Sequence, residues 1–189
     1  MNGTLFRGKS VRLGMVDPEE WAKNFSRWRR DTEYWRLLDT SPVSLFSVKA
    51  FQKDFEKNLE KKPFDDYLFS IHTLEGDQMI GFIWLGGIDW THGNGWVGIG
   101  LGERNYWGKG YGTDAMRVIL RYAFTELNLH RVSLDVFSYN PRAIRSYEKS
   151  GFSCEGRLRK LLARNGERAD DVWMGILYDE WVRLQGSEG

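Results

Sequence analysis

Large apolar residues recur at two different spacings along the chain, which divides it into a helical beginning and a strand-rich remainder. Before Tyr67 they recur every three or four positions, a period typical of helices that bury one face. Asp17 followed by Pro18 predicts a helix start, because aspartate caps free N–H groups and proline fits the first turn. We therefore expect helices from Asp17, from Asp31 and over Ser47–Lys61.

After these helices the pattern changes to alternation and to short apolar runs between turn residues, which is typical of β-strands. Together with a first strand over Ser10–Val16, the predicted strands are Tyr67–Thr73, Gln78–Trp90, Trp96–Leu101, Arg131–Phe137, Cys154–Leu162 and Asp171–Leu177. Turns are expected at Glu75-Gly76-Asp77, Asn94-Gly95 and Asn165-Gly166.

Two further helices separate the later strands: Thr113–Leu127, which has one continuous apolar stripe, and a helix between Asn140 and Gly151. This order predicts an α+β fold, a single domain over residues 1–189 with a mixed, mostly antiparallel twisted sheet. The strands on either side of the Thr113–Leu127 helix would run parallel and form a central βαβ crossover. Ligands tend to bind where such strands diverge, so we expect the site at Gly102–Gly112 and Ser138–Asn140.

Composition excludes several classes of protein. The chain has 27 basic and 26 acidic side chains, so its charge gives no sign of a nucleic-acid partner. A single cysteine, Cys154, excludes an intrachain disulfide and is expected to be buried and inert. The three histidines lack ligand spacing, so no metal site is expected. The apolar run Met79–Ile88 is too short to span a bilayer and no signal-peptide core is present, so we expect a soluble, cytoplasmic protein without membrane contacts.

The stretch Gly98–Gly112 holds six of the 21 glycines and leads into the Thr113–Leu127 helix. Glycine lets a ligand approach backbone N–H groups, and a helix N-terminus adds donors and positive dipole charge, so the stretch predicts a phosphate site. A P-loop is excluded because Gly108-Lys109 is followed by Gly110, and a dinucleotide fingerprint because the spacing is GxGxG. A flexible glycine turn before a core helix is the plainer alternative.

Two motifs follow one another at this predicted site. In YWGKGYGTDAM, which starts at Tyr106, the acyl-coenzyme A signature (a polar residue, then xxGx and glycine or alanine) falls on Trp107, Gly110 and Gly112, with tryptophan in place of the polar residue. The pattern NxxAIxxYEKxGF is matched at Asn140, Ala143, Ile144, Tyr147, Glu148, Lys149, Gly151 and Phe152. Both resemble the GNAT superfamily of N-acetyltransferases, in its branch of ribosomal-protein and spermidine acetyltransferases (RimJ/RimL type). The resemblance runs from about Val11 to Leu177, with the acyl-CoA-binding core over about residues 96–152.

This resemblance implies transfer of an acetyl group from acetyl-CoA to a primary amine, by direct attack in a ternary complex. The implied cofactor-binding residues are Leu101, Trp107, Gly108, Lys109, Gly110, Tyr111, Gly112, Thr113, Asn140, Ala143 and Tyr147, with Arg104 as a further positive charge. Tyr147 would protonate the leaving thiolate, and Asn140 would contact the pantetheine arm. A backbone N–H between Ile99 and Leu101 would polarise the thioester carbonyl. A core position for Tyr147 and an N-cap role for Asn140 are the structural alternatives.

The group that takes the proton of the amine is the open part of this prediction. The branch often places a glutamate on the strand before the glycine loop, where this chain has Trp96-Val97-Gly98. Glu103 is the first candidate for this catalytic role, with Asp89 and Asp135 as further ones, and a structural role is the alternative for each. Deprotonating an alkyl amine of pKa ~10.4 at pH 7 costs roughly 4–5 kcal/mol, against about 1 kcal/mol for an α-amino group near ~8, so a weak base suffices for the second.

The expected acceptor is a protein N-terminus, a polyamine, an aminoglycoside or another small amine, held by the N-terminal helices and the last strand pair. Trp84, Trp90 and Trp96 would either wall its pocket or fill the core. Two other functions fit the motifs: transfer of a different acyl group, or a non-catalytic module that binds or senses acyl-CoA. The absent glutamate favours the sensing module, and the presence of Asn140 with Tyr147 opposes it. A homodimer is compatible with this branch.

Overall fold

The structure, a computed structural model, describes residues 5–59 and 66–187. Its elements are β1 (Val11–Gly14), α1 (Pro18–Trp28), α2 (Thr32–Leu38), α3 (Val48–Leu59), β2 (Tyr67–Thr73), β3 (Met79–Asp89), β4 (Asn94–Leu101), α4 (Tyr111–Thr125), β5 (Arg131–Phe137), α5 (Pro141–Lys149), β6 (Ser153–Arg164), β7 (Glu167–Leu177) and α6 (Tyr178–Ser187). The predicted end of the third helix, at residues 60–61, lies outside the described residues. None of the described helices is long and apolar enough to cross a membrane.

The seven strands of the described residues form one sheet in the order β1-β2-β3-β4-β5-β7-β6. Neighbouring strands are antiparallel apart from β4 and β5, which run parallel. These two strands pair between Asn94–Trp96 and Arg131–Ser133, and beyond that they separate. The predicted α+β fold with its central βαβ crossover is therefore confirmed. The sheet is split between β4 and β5 at the carboxyl ends of both strands, where ligands bind in folds of this kind.

Different helices cover the two faces of the sheet. On one face Ile119 and its apolar neighbours on α4 are buried in the same cluster as Leu134 of β5. On the other face Trp21 and Phe25 of α1 pack with Phe82 of β3. Each fully buried side chain of this size contributes about 1.5–3 kcal/mol to folding. Two apolar cores thus hold helices against both faces of the sheet.

Side-chain and glycine caps determine where the helices begin. Asp17 accepts a hydrogen bond from the Glu20 N–H at 2.8 Å, and Asp31 caps α2 in the same way, which confirms both predicted starts. Helix α4 begins at Tyr111, earlier than predicted, because Gly110 acts as its N-cap with a φ of 91°. Glycine tolerates this left-handed conformation, so the chain can turn directly from the loop into the helix.

One prediction about the secondary structure is wrong, and one helix was not predicted. Asn94 and Gly95 do not form a turn but belong to β4, and the chain reverses just before them, at Gly93 with a φ of 64°. Helix α6 was not expected, because it follows β7 without an intervening loop. It is held by Trp181, whose ring centroid lies 5.5 Å from that of Phe124 on α4.

Candidate active site

A cavity of about 950 Å³ occupies the split between β4 and β5. Its walls come from α2, β4, the glycine loop with the start of α4, the end of β5, and α5. All of the predicted cofactor-binding residues line it apart from Arg104 and Tyr111, and the Tyr111 ring packs edge-on against Tyr106 at a centroid distance of 5.0 Å. The structure therefore brings both sequence motifs to one site.

Backbone donors of β4 face this cavity. Gly102 donates its N–H to the Ile80 carbonyl of β3 at 3.0 Å. Alternate residues of a strand direct their N–H groups to the same side, so the N–H of Gly100 also faces β3. The N–H groups of Ile99 and Leu101 are consequently directed to the other side, where β5 has separated from β4.

The glycine loop forms a second set of backbone donors on the opposite wall. Gly108 and Gly110 have φ values of 72° and 91°, a region that favours glycine. A Cβ at either position would meet no atom within 4 Å, so the space above the loop is open. Helix α4 starts directly after the loop, and its first N–H groups lack partners within the helix. Loop and helix end together form a cradle for an anion.

Basic side chains outnumber acidic ones around the cavity. The basic ones are Lys9, Lys109, Arg117, Arg142, Arg145 and Lys149, and the acidic ones are Asp39, Asp114 and Asp135. Asp114 is engaged by the chain itself, because its carboxylate accepts the N–H groups of Lys9, Ser10 and Val11 at 2.6–3.0 Å. This excess of positive charge suits a ligand with several negative charges.

Trp107 stands at the first position of the glycine motif, and it fastens the loop to β4. Its indole N–H donates to the Leu101 carbonyl at 2.7 Å. The guanidinium of Arg142 lies 3.8 Å from the centre of its ring, a cation–π contact that holds this arginine at the cavity. Burial lowers the pKa of the Arg142 guanidinium, which remains a cation because the ordinary value is far above neutral.

Asn140 is buried at the N-terminus of α5 and hydrogen-bonds in two directions. Its Oδ1 accepts from the Ala143 N–H at 3.2 Å, which makes it the N-cap of the helix. Its Nδ2 donates to the Leu37 carbonyl of α2 at 3.4 Å. The side chain therefore ties the helix of one face to a helix of the other face, across the split.

Tyr147 lies further along α5, where its half-buried side chain lines the cavity. Its ring centroid is 6.1 Å from that of Phe152, in an edge-on contact. Burial raises the pKa of the Tyr147 phenol, and the negative charge of Asp135 adds to that rise. The phenol is therefore protonated at neutral pH and is a weaker acid than an ordinary tyrosine, so it can donate its proton only to a closely placed base.

Asp135 projects from the opposite face of β5 to the core residues Leu134 and Val136, and it lines the cavity. The residue is exposed to solvent, but partial desolvation at the cavity wall raises the pKa of its carboxyl, and the charge of Asp171 on β7 adds to the rise. Asp171 is itself 6% exposed, and its Oδ2 accepts the Trp173 indole N–H at 3.0 Å. A carboxylate in these surroundings is a better proton acceptor than a solvated one.

The side of the cavity next to α1 and α2 is aromatic. Its lining residues are Phe25, Tyr34, Trp35, Phe82, Trp84 and Trp96. Trp84 and Trp96 thus wall the cavity, whereas Trp90 is 55% exposed and neither walls it nor fills the core. Sequence reasoning missed Tyr34 and Trp35, because their position on a short helix is typical of core residues.

The structure corrects the expected role of Glu103. Its carboxylate accepts the Trp28 indole N–H at 2.8 Å and forms an ion pair with Arg27. It does not line the cavity. Glu103 therefore connects α1 to the segment after β4 and is not retained as a catalytic residue.

Three other expectations change as well. Arg104 forms ion pairs with Asp31 and Glu33 and does not line the cavity. The Asp89 carboxylate accepts backbone N–H groups in the turn after β3. Cys154 is exposed instead of buried. Within the described residues, no three His, Cys, Asp or Glu side chains are grouped in a way that could hold a metal ion.

Comparison with known proteins agrees with this geometry. Residues 11–153 match the family model of the acetyltransferase (GNAT) domain. The probable N-acetyltransferase YjcK of Bacillus subtilis (strain 168) is 35% identical over 182 residues, which cover 92% of this chain and 97% of YjcK. The prophage-derived N-acetyltransferase YokL of the same organism is 30% identical over 184 residues, 97% of this chain and 98% of its own.

Solved structures share the fold at lower sequence identity. Spermidine N-acetyltransferase from Vibrio cholerae, in complex with CoA and spermine, superimposes with a TM-score of 0.75 at 23% identity, over 91% of this chain and 98% of that one. An acetyltransferase of the GNAT family from Bacillus anthracis gives 0.75 at 21% identity, over 92% and 98%. The match of the family model over residues 11–153 includes the glycine loop, the split and Tyr147. The chain therefore belongs to the GNAT acetyltransferase family and is an N-acetyltransferase, an enzyme class that uses acetyl-CoA as acyl donor.

Proposed function

We propose that this enzyme transfers the acetyl group of acetyl-CoA to a primary amine, either a small molecule or a peptide N-terminus, by direct attack in a ternary complex. The split between β4 and β5 carries the proposal, because it joins an anion cradle to an aromatic-walled space. Donor and acceptor can thus enter from different sides and meet at β4.

The donor would lie along the glycine loop and β4. The backbone N–H groups of Gly108–Gly112 suit the pyrophosphate, with Lys109 and Arg142 adding positive charge. The thioester carbonyl would accept a hydrogen bond from the N–H of Ile99 or Leu101, which face the split. A preorganised donor of this kind lowers a barrier by roughly 2.7–4 kcal/mol in other acyl-transfer enzymes.

The amine nitrogen attacks the thioester carbon, and a C–N bond forms as the C–S bond breaks. Asp135 accepts the proton that the amine loses, because its raised pKa makes it a usable base at the cavity wall. Tyr147 gives its proton to the leaving thiolate, which becomes the thiol of CoA. The reference pKa of a thiol, ~8.5, lies below that of tyrosine, ~10, so this transfer depends on close positioning.

An amine acceptor is supported by named relatives. Spermidine N(1)-acetyltransferase of Escherichia coli is 38% identical over 84 residues, 44% of this chain and 45% of its own. A second candidate, a non-catalytic acyl-CoA sensor, is favoured by one observation: the chain has Trp96-Val97-Gly98 where the branch often has its glutamate. The carboxylate of Asp135 in the cavity favours the enzyme.

Calorimetric titration of acetyl-CoA, followed by a thiol-release assay against an amine panel, tests the proposal. The panel contains polyamines, aminoglycosides and peptides with free N-termini. Binding together with thiol release by at least one amine class is the expected result. Binding without release from any amine would favour the sensor, and no binding would overturn the assignment of the glycine loop.

A further inference from the structure

Two hydrogen-bonding groups on α2 are buried without a partner. The residues Tyr34 and Trp35 are 3% and 5% exposed. Neither the Tyr34 hydroxyl nor the Trp35 indole N–H has a hydrogen-bond partner within the part of the chain that the structure describes. Both side chains line the cavity. A buried polar group left unpaired destabilises a protein, so these two positions suit a ligand better than they suit the fold alone.

The Tyr34 hydroxyl stands directly over β4. A Cβ on Gly100 would lie 2.8 Å from this hydroxyl and 2.6 Å from the Phe82 ring, so glycine is required there. Gly100 lies between Ile99 and Leu101, the proposed donors to the thioester carbonyl. The hydroxyl is therefore placed beside the point of attack. Burial raises the pKa of the Tyr34 phenol, so it acts as a neutral hydrogen-bonding group.

The Trp35 ring makes one cation–π contact and one edge-on aromatic contact, which fix its position. The Arg29 guanidinium lies 3.8 Å from its centre, and Phe25 meets it at 86° with a centroid distance of 6.0 Å. An indole N–H can only donate a hydrogen bond. A group that pairs with it must therefore be an acceptor, such as an oxygen.

The charged side chains around the cavity also favour an acceptor that carries an oxygen over a polyamine. A protonated polyamine offers only donors, and buried ammonium groups need carboxylates as partners. Of the three lining carboxylates, Asp114 is engaged by backbone N–H groups and Asp135 is the proposed base. Within residues 5–59 and 66–187, only Asp39 then remains among the lining carboxylates for the further ammonium groups of a polyamine.

We infer that the acceptor carries a carbonyl or hydroxyl oxygen within a few bonds of its reacting amine, and that the Tyr34 hydroxyl and the Trp35 indole N–H bind this oxygen. The inference rests on the proposed function and narrows its acceptor. α-Amino amides, amino alcohols and amino sugars have this chemistry, whereas simple alkylamines and polyamines lack it.

Matched acceptors test the inference by thiol release with acetyl-CoA. Phenylalanine amide supplies a carbonyl, phenylalaninol a hydroxyl, and phenethylamine neither; spermidine represents the polyamines. Each acceptor is assayed with the wild-type enzyme and with the variants Tyr34→Phe and Trp35→Phe. For each acceptor we compare the wild-type kcat/KM with the variant kcat/KM, because this ratio removes the effect of the different basicities of the amines. We expect Tyr34→Phe to lower kcat/KM roughly 2- to 10-fold for the oxygen-bearing acceptor and to leave phenethylamine unchanged, as loss of one neutral hydrogen bond predicts.

Tyr67→Phe is the matched control. The Tyr67 hydroxyl is hydrogen-bonded to Tyr122 and does not line the cavity. This variant should lower the Tm and change no kinetic ratio, whereas Tyr34→Phe should keep or raise the Tm because it removes an unpaired group. If Trp35→Phe fails to fold, Tyr34→Phe decides alone.

Two results would overturn the inference. Equal losses with phenylalanine amide and phenethylamine, or spermidine as the best acceptor with no effect of Tyr34→Phe, would refute it while the proposed function stands. Acetyl-CoA binding without thiol release from any amine would instead overturn the proposed function, and this inference with it.

Discussion

Tyr147 and Asp135 have raised pKa values for the same main reason, and the consequences for the proposed chemistry differ. Burial is the larger cause for both groups. It makes the Asp135 carboxylate more basic, which suits a proton acceptor. It makes the Tyr147 phenol a weaker acid, so proton transfer to the thiolate depends on close positioning. Each group faces the cavity, so one environment favours the proposed base and opposes the release of the Tyr147 proton.

Replacing Tyr147 by phenylalanine tests the acid. The hydroxyl is lost while the edge-on contact of the ring with Phe152 stays. General acid catalysis is worth about 10²–10⁴-fold, so kcat should fall by about that factor, with the Kd for acetyl-CoA unchanged. Thiol-release kinetics and calorimetry measure the two. Tyr139→Phe, which removes a hydroxyl bonded to the Arg36 carbonyl at 2.9 Å, should leave kcat unaltered. Wild-type kcat in Tyr147→Phe would eliminate the acid role.

Replacing Asp135 by asparagine tests the base through activity and stability together. A carboxyl whose pKa is raised on folding contributes stability below its unfolded pKa of about 3.9, and this stability is lost as the pH rises through the folded value. At pH 7 the wild-type protein therefore carries a carboxylate charge that partial desolvation disfavours. Asp135→Asn should raise the Tm at pH 7, with a gain that shrinks towards about pH 4.

The Asp135→Asn substitution should also lower kcat/KM strongly. In the wild-type enzyme kcat/KM should rise with pH as Asp135 loses its proton, and this rise should be absent from the variant. Thermal melts and pH–rate profiles of both proteins check this. A Tm difference that is constant from acid to neutral pH would contradict the raised pKa. An unchanged pH–rate profile would contradict the role as base.

At the scale of elements, the βαβ crossover could be predicted because it is encoded in one continuous stretch. Alternation placed β5 at Arg131–Phe137, and clustered glycines placed the loop where the strands diverge. Contacts between distant segments could not be read in this way. Glu103 is hydrogen-bonded to Trp28, which lies 75 residues earlier in the sequence, so the residues around Glu103 give no sign of this structural partner. Helix α2 contributes Tyr34 to the cavity through packing on Gly100, which its sequence spacing does not reveal.

The glycine loop can be tested with two glycines of similar conformation. Gly110 in the loop and Gly166 in the β6–β7 turn have φ values of 91° and 80°, and a Cβ on either would meet no atom within 4 Å. Alanine should therefore strain both backbones by about 1–2 kcal/mol and lower the Tm similarly. Gly110→Ala should also raise the Kd for acetyl-CoA about tenfold or more, because its Cβ obstructs the cradle, whereas Gly166→Ala should not. Equal Kd values for the two variants would show that the loop does not hold the donor.

At the scale of the whole molecule, the formal net charge is only +1, yet charge is unevenly distributed. Basic residues from the loop before β1, from α4 and from α5 lie around the cavity. Asp114 lies near them, and its carboxylate accepts backbone N–H groups at the start of β1 and so fixes that strand. The opposite side of the cavity is aromatic. The fold thus turns a nearly neutral chain into a site with a cationic arm for the donor and an apolar arm for the acceptor.

Salt should reveal this separation of charge. Raising ionic strength shortens the Debye length from about 10 Å at 0.1 M to about 3 Å at 1 M, which weakens attraction between the basic residues and the phosphates of acetyl-CoA. The Kd for acetyl-CoA, measured by calorimetry across this range, should therefore rise. Acetyl-pantetheine lacks phosphates and should bind more weakly, with a Kd that salt leaves nearly constant. If the Kd values of both ligands changed equally with salt, the basic residues would not be the part of the site that recognises the donor. The affinity for acetyl-CoA would then have to come from contacts of its thioester end with β4.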